Sequence, residues 1–230
     1  MRTRDLKAER RRHGWGQVEA AKRLGVSQPY LAMLENGERR LTPALARKFV
    51  ATYGLPPVEL PVPETFAPAK EVEPQRLVED LARLDYPGFA YVQSHGRSKH
   101  PGEVLLTALA QESLEGRVAE ALPWLLLRHW GTGFDWLVEK AKKFDLQNRL
   151  GFVVSLACRL SERTAETDRT NALSNLKATL DRSRLAREDF FPRPPRNAAE
   201  RAWLMQNRPE EAEHWNLLSD LRPEHLQYAS

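Results

Sequence analysis

The segment that most constrains this chain is QVEAAKRLGVSQPYLAMLENG, residues 17 to 37. Ala20, Ala21 and Leu24 share one face of a short helix, Gly25 marks a tight turn, and after Val26 and Ser27 a second helical period resumes at Leu31 and Leu34. Apolar residues at this spacing let two short amphipathic helices share one small core. Two helices joined in this way are the arrangement that lays the second of them in a DNA major groove. The outward positions of the second helix are Gln28, Pro29, Ala32 and Met33, with Tyr30 and Asn36 at the edges and Glu35 its only acid. Short, mostly uncharged side chains approach base edges without repelling phosphate.

Residues 5 to 55 resemble the XRE family, the phage repressor and Cro type of helix-turn-helix. The resemblance is carried by Gln17 at the start of the first of the two helices, the small packing residue Ala21, L-G-V-S from Leu24 to Ser27, E-N-G from Glu35 to Gly37, and the amphipathic TPALARKFVATYGL that follows. It implies a five-helix domain over residues 1–55 that binds double-stranded operator DNA as a homodimer. Carried over residue by residue, it implies that Gln28, Pro29, Ala32 and Met33 face the bases, and that Gln17, Ser27, Tyr30, Asn36, Arg39 and Arg40 contact the phosphates. Pro29 departs from the family pattern. Proline is tolerated in a first helical turn because its missing N–H has no helical partner there, but it leaves base readout with fewer hydrogen-bonding side chains.

The charge distribution agrees with this placement. Residues 1–55 hold 12 Lys or Arg against 5 Asp or Glu, a net of +7, whereas the remaining 175 residues carry a net of −3. The run Arg10, Arg11 and Arg12, with Lys7, Lys22 and Arg23, is expected to form the basic footprint of a domain that displaces counterions from DNA.

From Pro56 to Pro74, six of the 16 prolines fall within 19 residues. That density favours extended, semi-rigid backbone and reads as a linker, residues 56–74, whose Val58, Leu60, Val62 and Phe66 favour lying against a surface. Residues 75–230 show helical periodicity almost throughout, so the expected fold class is all-α. Helices are predicted near 75–85, 102–113, 115–129, 134–143, 146–164, 170–187, 197–207 and 209–219, with Gly131 and Gly133 bracketing a turn and residues 86–101 forming a loop. PGEVLLTALAQES with GRVAEALPWLLLRHW, and FDWLVEKAKKFD with LQNRLGFVVSLACRLSER, read as two antiparallel hairpins. They fit either a short HEAT-like or TPR-like solenoid or an irregular bundle. Trp124, Leu125, Leu126, Leu127, Trp136, Leu137, Leu150, Phe152, Val153, Val154 and Leu156 are the expected core.

No sequence motif for phosphate binding, zinc ligation or a nucleophile turn is present. An enzyme is therefore not expected, and neither a cofactor nor a metal. Cys158 lies in an apolar run and reads as a buried, inert thiol. His95 and His100, with Arg97 and Lys99, read as a solvated basic loop tip, and Glu210, Glu211, Glu213 and His214 as ordinary charges on one helix. No apolar stretch approaches the ~20 residues that span a bilayer, and the charged N-terminus is unlike a signal peptide, so a soluble cytoplasmic protein associated with the nucleoid is expected.

The stretches ALPWLLLRHW, DLQNRLGFVVSLA and RPEEAEHWNLLSDL resemble bacterial regulators whose genes precede a toxin of nucleotidyltransferase type. This implies a repressor that is also an antitoxin: the helical domain binds and silences the toxin, and the N-terminal domain represses the shared promoter. The alternative is a one-component transcriptional regulator whose helical domain senses a small molecule.

Overall fold

In a computed structural model of the chain, residues 3–93, 95–130, 134–164 and 166–226 are described. The chain divides into two compact units, Met1–Phe66 and Ala67–Ser230, with the division inside the proline-rich segment.

The first unit contains α1 (Thr3–Arg12), α2 (Gln17–Leu24), α3 (Gln28–Glu35) and α4 (Pro43–Tyr53), four helices among the described residues up to 55 where the resemblance implies five, followed by a single 3-10 turn, Pro57–Glu59. Local signals set the breaks. Gly25 and Gly54 take left-handed conformations, φ 62° and 61°, at the ends of α2 and α4, where a residue without Cβ carries no steric cost. Ser27 and Thr42 cap α3 and α4 by accepting the backbone N–H groups of Tyr30 and Leu45. Leu6, Ala20, Ala21, Leu24, Leu31, Leu34, Phe49 and Tyr53 form the shared core.

The second unit contains α5 (Pro74–Ala82), α6 (Pro101–Leu109), α7 (Gly116–Arg128), α8 (Phe134–Lys143), α9 (Gln147–Ser161), α10 (Thr167–Asp181), α11 (Ala198–Asn207) and α12 (Glu210–His214). Helix α9 is its axis. Every residue of it except Arg159 is buried, and α6, α7, α8, α10 and α12 all pack on it. In a solenoid each repeat touches only its neighbours, so of the two arrangements open to the sequence this is the bundle. Among the described residues no helix is long and apolar enough to cross a membrane.

Several expected features shift, for physical reasons. The helix expected to reach residue 187 stops at Asp181, and the side chain of Asn148 then takes both backbone groups of Leu185, at 2.8 and 2.9 Å. The helix expected over 209–219 stops at His214. Asn216 turns left-handed, φ 54°, and Leu217–Leu218 (β2) pairs in parallel with Asp189–Phe190 (β1). Trp124 and Trp136 line the margin of the core rather than its centre, whereas the other nine expected core residues are buried. The centre is Trp215, fully buried against Gly151, with its Nε1–H donated to Ser155 Oγ at 2.8 Å. Within the linker, buried Gln111 donates to Ala69 O and accepts from Val72 N–H, which fastens residues 69–72 to this unit. The turn at Gly131 and Gly133 lies outside the described residues.

Candidate nucleic-acid interface

Capping by Ser27 fixes where α3 begins, and the inward turn of Leu31, Leu34 and Glu35 fixes which face it presents. Gln28 and Ala32 therefore form one half-buried row, and Pro29 and Met33 a second row that stands further out; Met33 is 38% exposed. Rows four residues apart are neighbours on a helix surface, so all four outward positions form one continuous face.

The acid on this helix is not exposed. Glu35 is buried, and Arg10 donates to both of its oxygens, from Nε at 2.6 Å and from Nη2 at 2.9 Å. Gln17 Nε2 donates to Glu35 Oε2 at 3.1 Å, and Gln28 Nε2 donates to Gln17 Oε1 at 2.8 Å. Four side chains thus form one hydrogen-bonded relay from a buried ion pair to the outer face of α3. Its polarity is determined by its origin, because an ionised carboxylate only accepts. Gln17 must turn its amide nitrogen towards Glu35 and its carbonyl towards Gln28. Gln28 in turn points its nitrogen inward, which leaves its carbonyl oxygen and its second N–H for other partners. One acceptor beside one donor is the pattern complementary to adenine N6 and N7 in the major groove.

The electrostatics keep the relay charged. Burial alone would raise the pKa of Glu35, but hydrogen bonds from Arg10 and Gln17 outweigh it and hold the carboxyl below its ordinary value. The bond to Glu35 likewise raises the pKa of Arg10. Burial, with the nearby Glu35 charge, pushes the Tyr53 hydroxyl up to about 12.

The remaining expected contact residues are placed as follows. Ser27 Oγ accepts Tyr30 N–H at 3.3 Å, and the Tyr30 side chain leans on the core. Asn36 is exposed at the end of α3, but its Nδ2 donates to Glu38 Oε1 at 3.1 Å, so it has an acidic neighbour. Arg39 and Arg40 are exposed in the loop that follows. The expected basic footprint is smaller than the charge count suggests. Arg10 is committed to Glu35, Arg12 pairs with Glu9, and Arg23 pairs with Glu19 and lies over the Trp15 ring.

Sequence reasoning missed two features. One is the inward role of Arg10 and Glu35; a signal was available for Glu35 alone, because Leu31, Leu34 and Glu35 share the i, i+3, i+4 spacing of a buried face. The other is Val18, 73% exposed directly after Gln17.

Outside this unit, the loop expected to be a solvated basic tip is partly folded inward. Lys99 pairs with Asp80, and buried His100 caps α6 by accepting Gly102 N–H, leaving His95 and Arg97 exposed. Glu211 pairs with Arg159, and His214 with Asp181. Burial pushes the Cys158 thiol up to about 11, so at neutral pH it is protonated and a poor nucleophile.

A capped second helix presenting a small, mostly uncharged outer face across a glycine turn defines a helix-turn-helix DNA-binding domain. Residues 6–60 match the helix-turn-helix family model, of the XRE type, and the protein is a DNA-binding transcriptional regulator. No curated protein and no solved structure matches the chain.

Proposed function

We propose that the protein is a sequence-specific repressor that binds an inverted-repeat operator as a homodimer, and that its helical unit binds and neutralises a protein toxin, making it the autoregulating antitoxin of a toxin–antitoxin pair. Its role is binding rather than catalysis. The observation that carries the DNA-reading half is the relay from Arg10 to Gln28, which presents one donor and one acceptor at a defined place on α3. In this reading Gln28, Pro29, Ala32 and Met33 face the bases, while Gln17, Ser27, Tyr30, Asn36, Arg39 and Arg40 hold the phosphates. One recognition helix buries little DNA, and a two-fold dimer reads two half-sites about one helical turn apart.

Support for a protein partner comes from α11. Trp203 and Met205 are 52% and 44% exposed there, with Ala198, Ala199 and Ala202 also exposed. The charges around them are already matched within the chain, Arg201 with Glu188 and Arg193 with Glu200. An exposed tryptophan and methionine among charges largely paired within the chain are residue types enriched at interface cores. The resemblance in sequence implies a partner of nucleotidyltransferase type.

Two experiments test the proposal. Selection from random double-stranded DNA with the full chain should return an inverted repeat, and Gln28→Ala should weaken operator binding by about 1–3 kcal/mol, with relaxed preference at one base pair. Equal loss on operator and random DNA would remove Gln28 from base readout. Coexpression with the product of the neighbouring gene should give a stable complex that Trp203→Ala weakens.

A second reading, ligand sensing, is favoured by a groove of about 570 Å³ lined by Tyr86, Phe89, Tyr91, Arg117 and Glu120 among others. It requires ligand-dependent thermal stabilisation of the helical unit.

A further inference from the structure

Polar side chains read donors and acceptors on base edges, whereas apolar side chains read the C5-methyl of thymine, the apolar group that the natural base pairs expose in the major groove. The outer face of α3 is divided along this line. Gln28, held by Gln17, is its polar reader. The row that stands furthest out, Pro29 and Met33, offers no side-chain N–H or O–H group, and Ala32 beside Gln28 offers a methyl group. Met33 and Val18 are the exposed large apolar side chains among the described residues of this unit. Val18 directly follows Gln17, so apolar surface lies at the start of both helices joined by the Gln17–Gln28 bond.

An apolar face in the groove discriminates in two ways. Against a thymine methyl it buries apolar surface on both sides. Against guanine O6 and N7 or the cytosine amino group it strips water from polar atoms and returns no hydrogen bond, a cost that counts against those bases.

We propose that Pro29, Ala32 and Met33 form a reader of thymine methyl groups, so that each operator half-site carries thymine beside the base pair contacted by Gln28. The proposal rests on the DNA-binding reading above and names what that site recognises. Met33 is the principal contact, because its flexible thioether side chain reaches beyond the rigid Pro29 and the short Ala32.

The test uses the full chain and the operator selected from random double-stranded DNA. Each thymine is replaced in turn by deoxyuridine, which removes the methyl group and keeps every hydrogen-bonding group. At one or two positions per half-site the affinity should fall about fourfold, the equivalent of one methyl-sized apolar group returned to water. In Met33→Ala the same replacement should have no effect at the position Met33 reads, while Gln28→Ala should retain the full fourfold difference. Operator binding that is indifferent to every thymine-to-uracil change, or a selected half-site without thymine beside the Gln28 contact, would overturn the methyl reader and leave the repressor reading standing. Failure to select any preferred sequence would overturn the repressor reading and the methyl reader with it.

Discussion

Both units bury polar side chains, but the hydrogen bonds lead to different places. In the N-terminal unit one line runs outward, from Arg10 and Glu35 through Gln17 to Gln28, while Arg10 Nη1 also donates to Trp15 O. In the helical unit the buried groups of α9 and Gln111 end on loop backbone, although buried Asp80 ends on the side chains of Arg83 and Lys99. Arg149 donates to Leu109 O and Gln111 O and makes a paired contact with Asp189; Asn148 holds Leu185; Gln111 holds Ala69 and Val72. The same requirement, that buried polar groups find partners, orients the Gln28 side chain on the outer face of α3 in one unit and fastens loops to a central helix in the other. A buried network is therefore informative about recognition where its last member is exposed to a ligand, and about stability where its last member is a carbonyl.

The strongest way to break this contrast is Glu35→Ala. It leaves the Arg10 guanidinium, 8% exposed, without its counter-charge. Removing one partner of a buried ion pair costs about 3–5 kcal/mol, a large part of the stability of a small domain. Hydrogen exchange on the full chain should show lost protection in α1 to α4, and operator binding should disappear. Protection in α9 should be unchanged; equal loss there would mean that the units do not stand on separate cores.

The counterpart in the helical unit is Gly151→Ala. A Cβ at this position would lie 2.5 Å from Trp215 Cζ2. Alanine gains about 1 kcal/mol of helix propensity over glycine, but the Trp215 ring cannot retreat, because its Nε1–H is donated to buried Ser155. Overpacking then outweighs propensity, with an expected net loss of about 1–3 kcal/mol. Urea unfolding should report that loss for the helical unit, with operator affinity of the folded protein unaltered.

These two sites also show how far the sequence could be read. The helix-turn-helix was legible because its determinants are local: Gly25, Ser27 and the apolar residues at 20, 21, 24, 31 and 34 fall within one short window. The outward row on α3 followed from the same period. The Arg10–Glu35 pair was not legible as a pair, because 25 residues separate its members and charge counting treats both as surface groups. In the helical unit, the apolar run of α9 announced a buried helix. It could not announce Trp215, which is buried 60 residues beyond its partner Ser155, nor the ending of α10 near Asn148, whose side chain substitutes for a helical continuation.

Acid should separate the units by order of loss. Burial, reinforced by the Arg128 charge, holds His129 down to about 4 from an ordinary 6.5. The folded state then binds fewer protons than the unfolded one between these values, so this contribution is present above pH 6.5 and is lost as pH falls from about 6.5 towards 4. Glu35 lies below its ordinary 4.5, so its contribution is present above that value and is lost only as pH falls through the lower folded value. Unfolding followed from pH 7.5 to 5 should weaken the helical unit first, and His129→Gln should flatten that slope without touching the N-terminal unit.

The smallest effect concerns the proposed phosphate contacts and sharpens the distinction between charge that is present and charge that is available. Arg39 and Arg40 are exposed beyond α3. Replacing either with alanine should reduce the slope of log affinity against log salt by about 1 per subunit, and should weaken operator and random DNA alike. Arg23 is equally basic by count, yet its guanidinium lies 4.3 Å from the Trp15 ring centroid and pairs with Glu19 at 2.9 Å. Arg23→Ala should leave the slope nearly unchanged. If Arg23→Ala instead lowers the slope as much as Arg39→Ala, the Glu19 pair opens on DNA and the net charge of +7 over residues 1–55 is the better guide to counterion release.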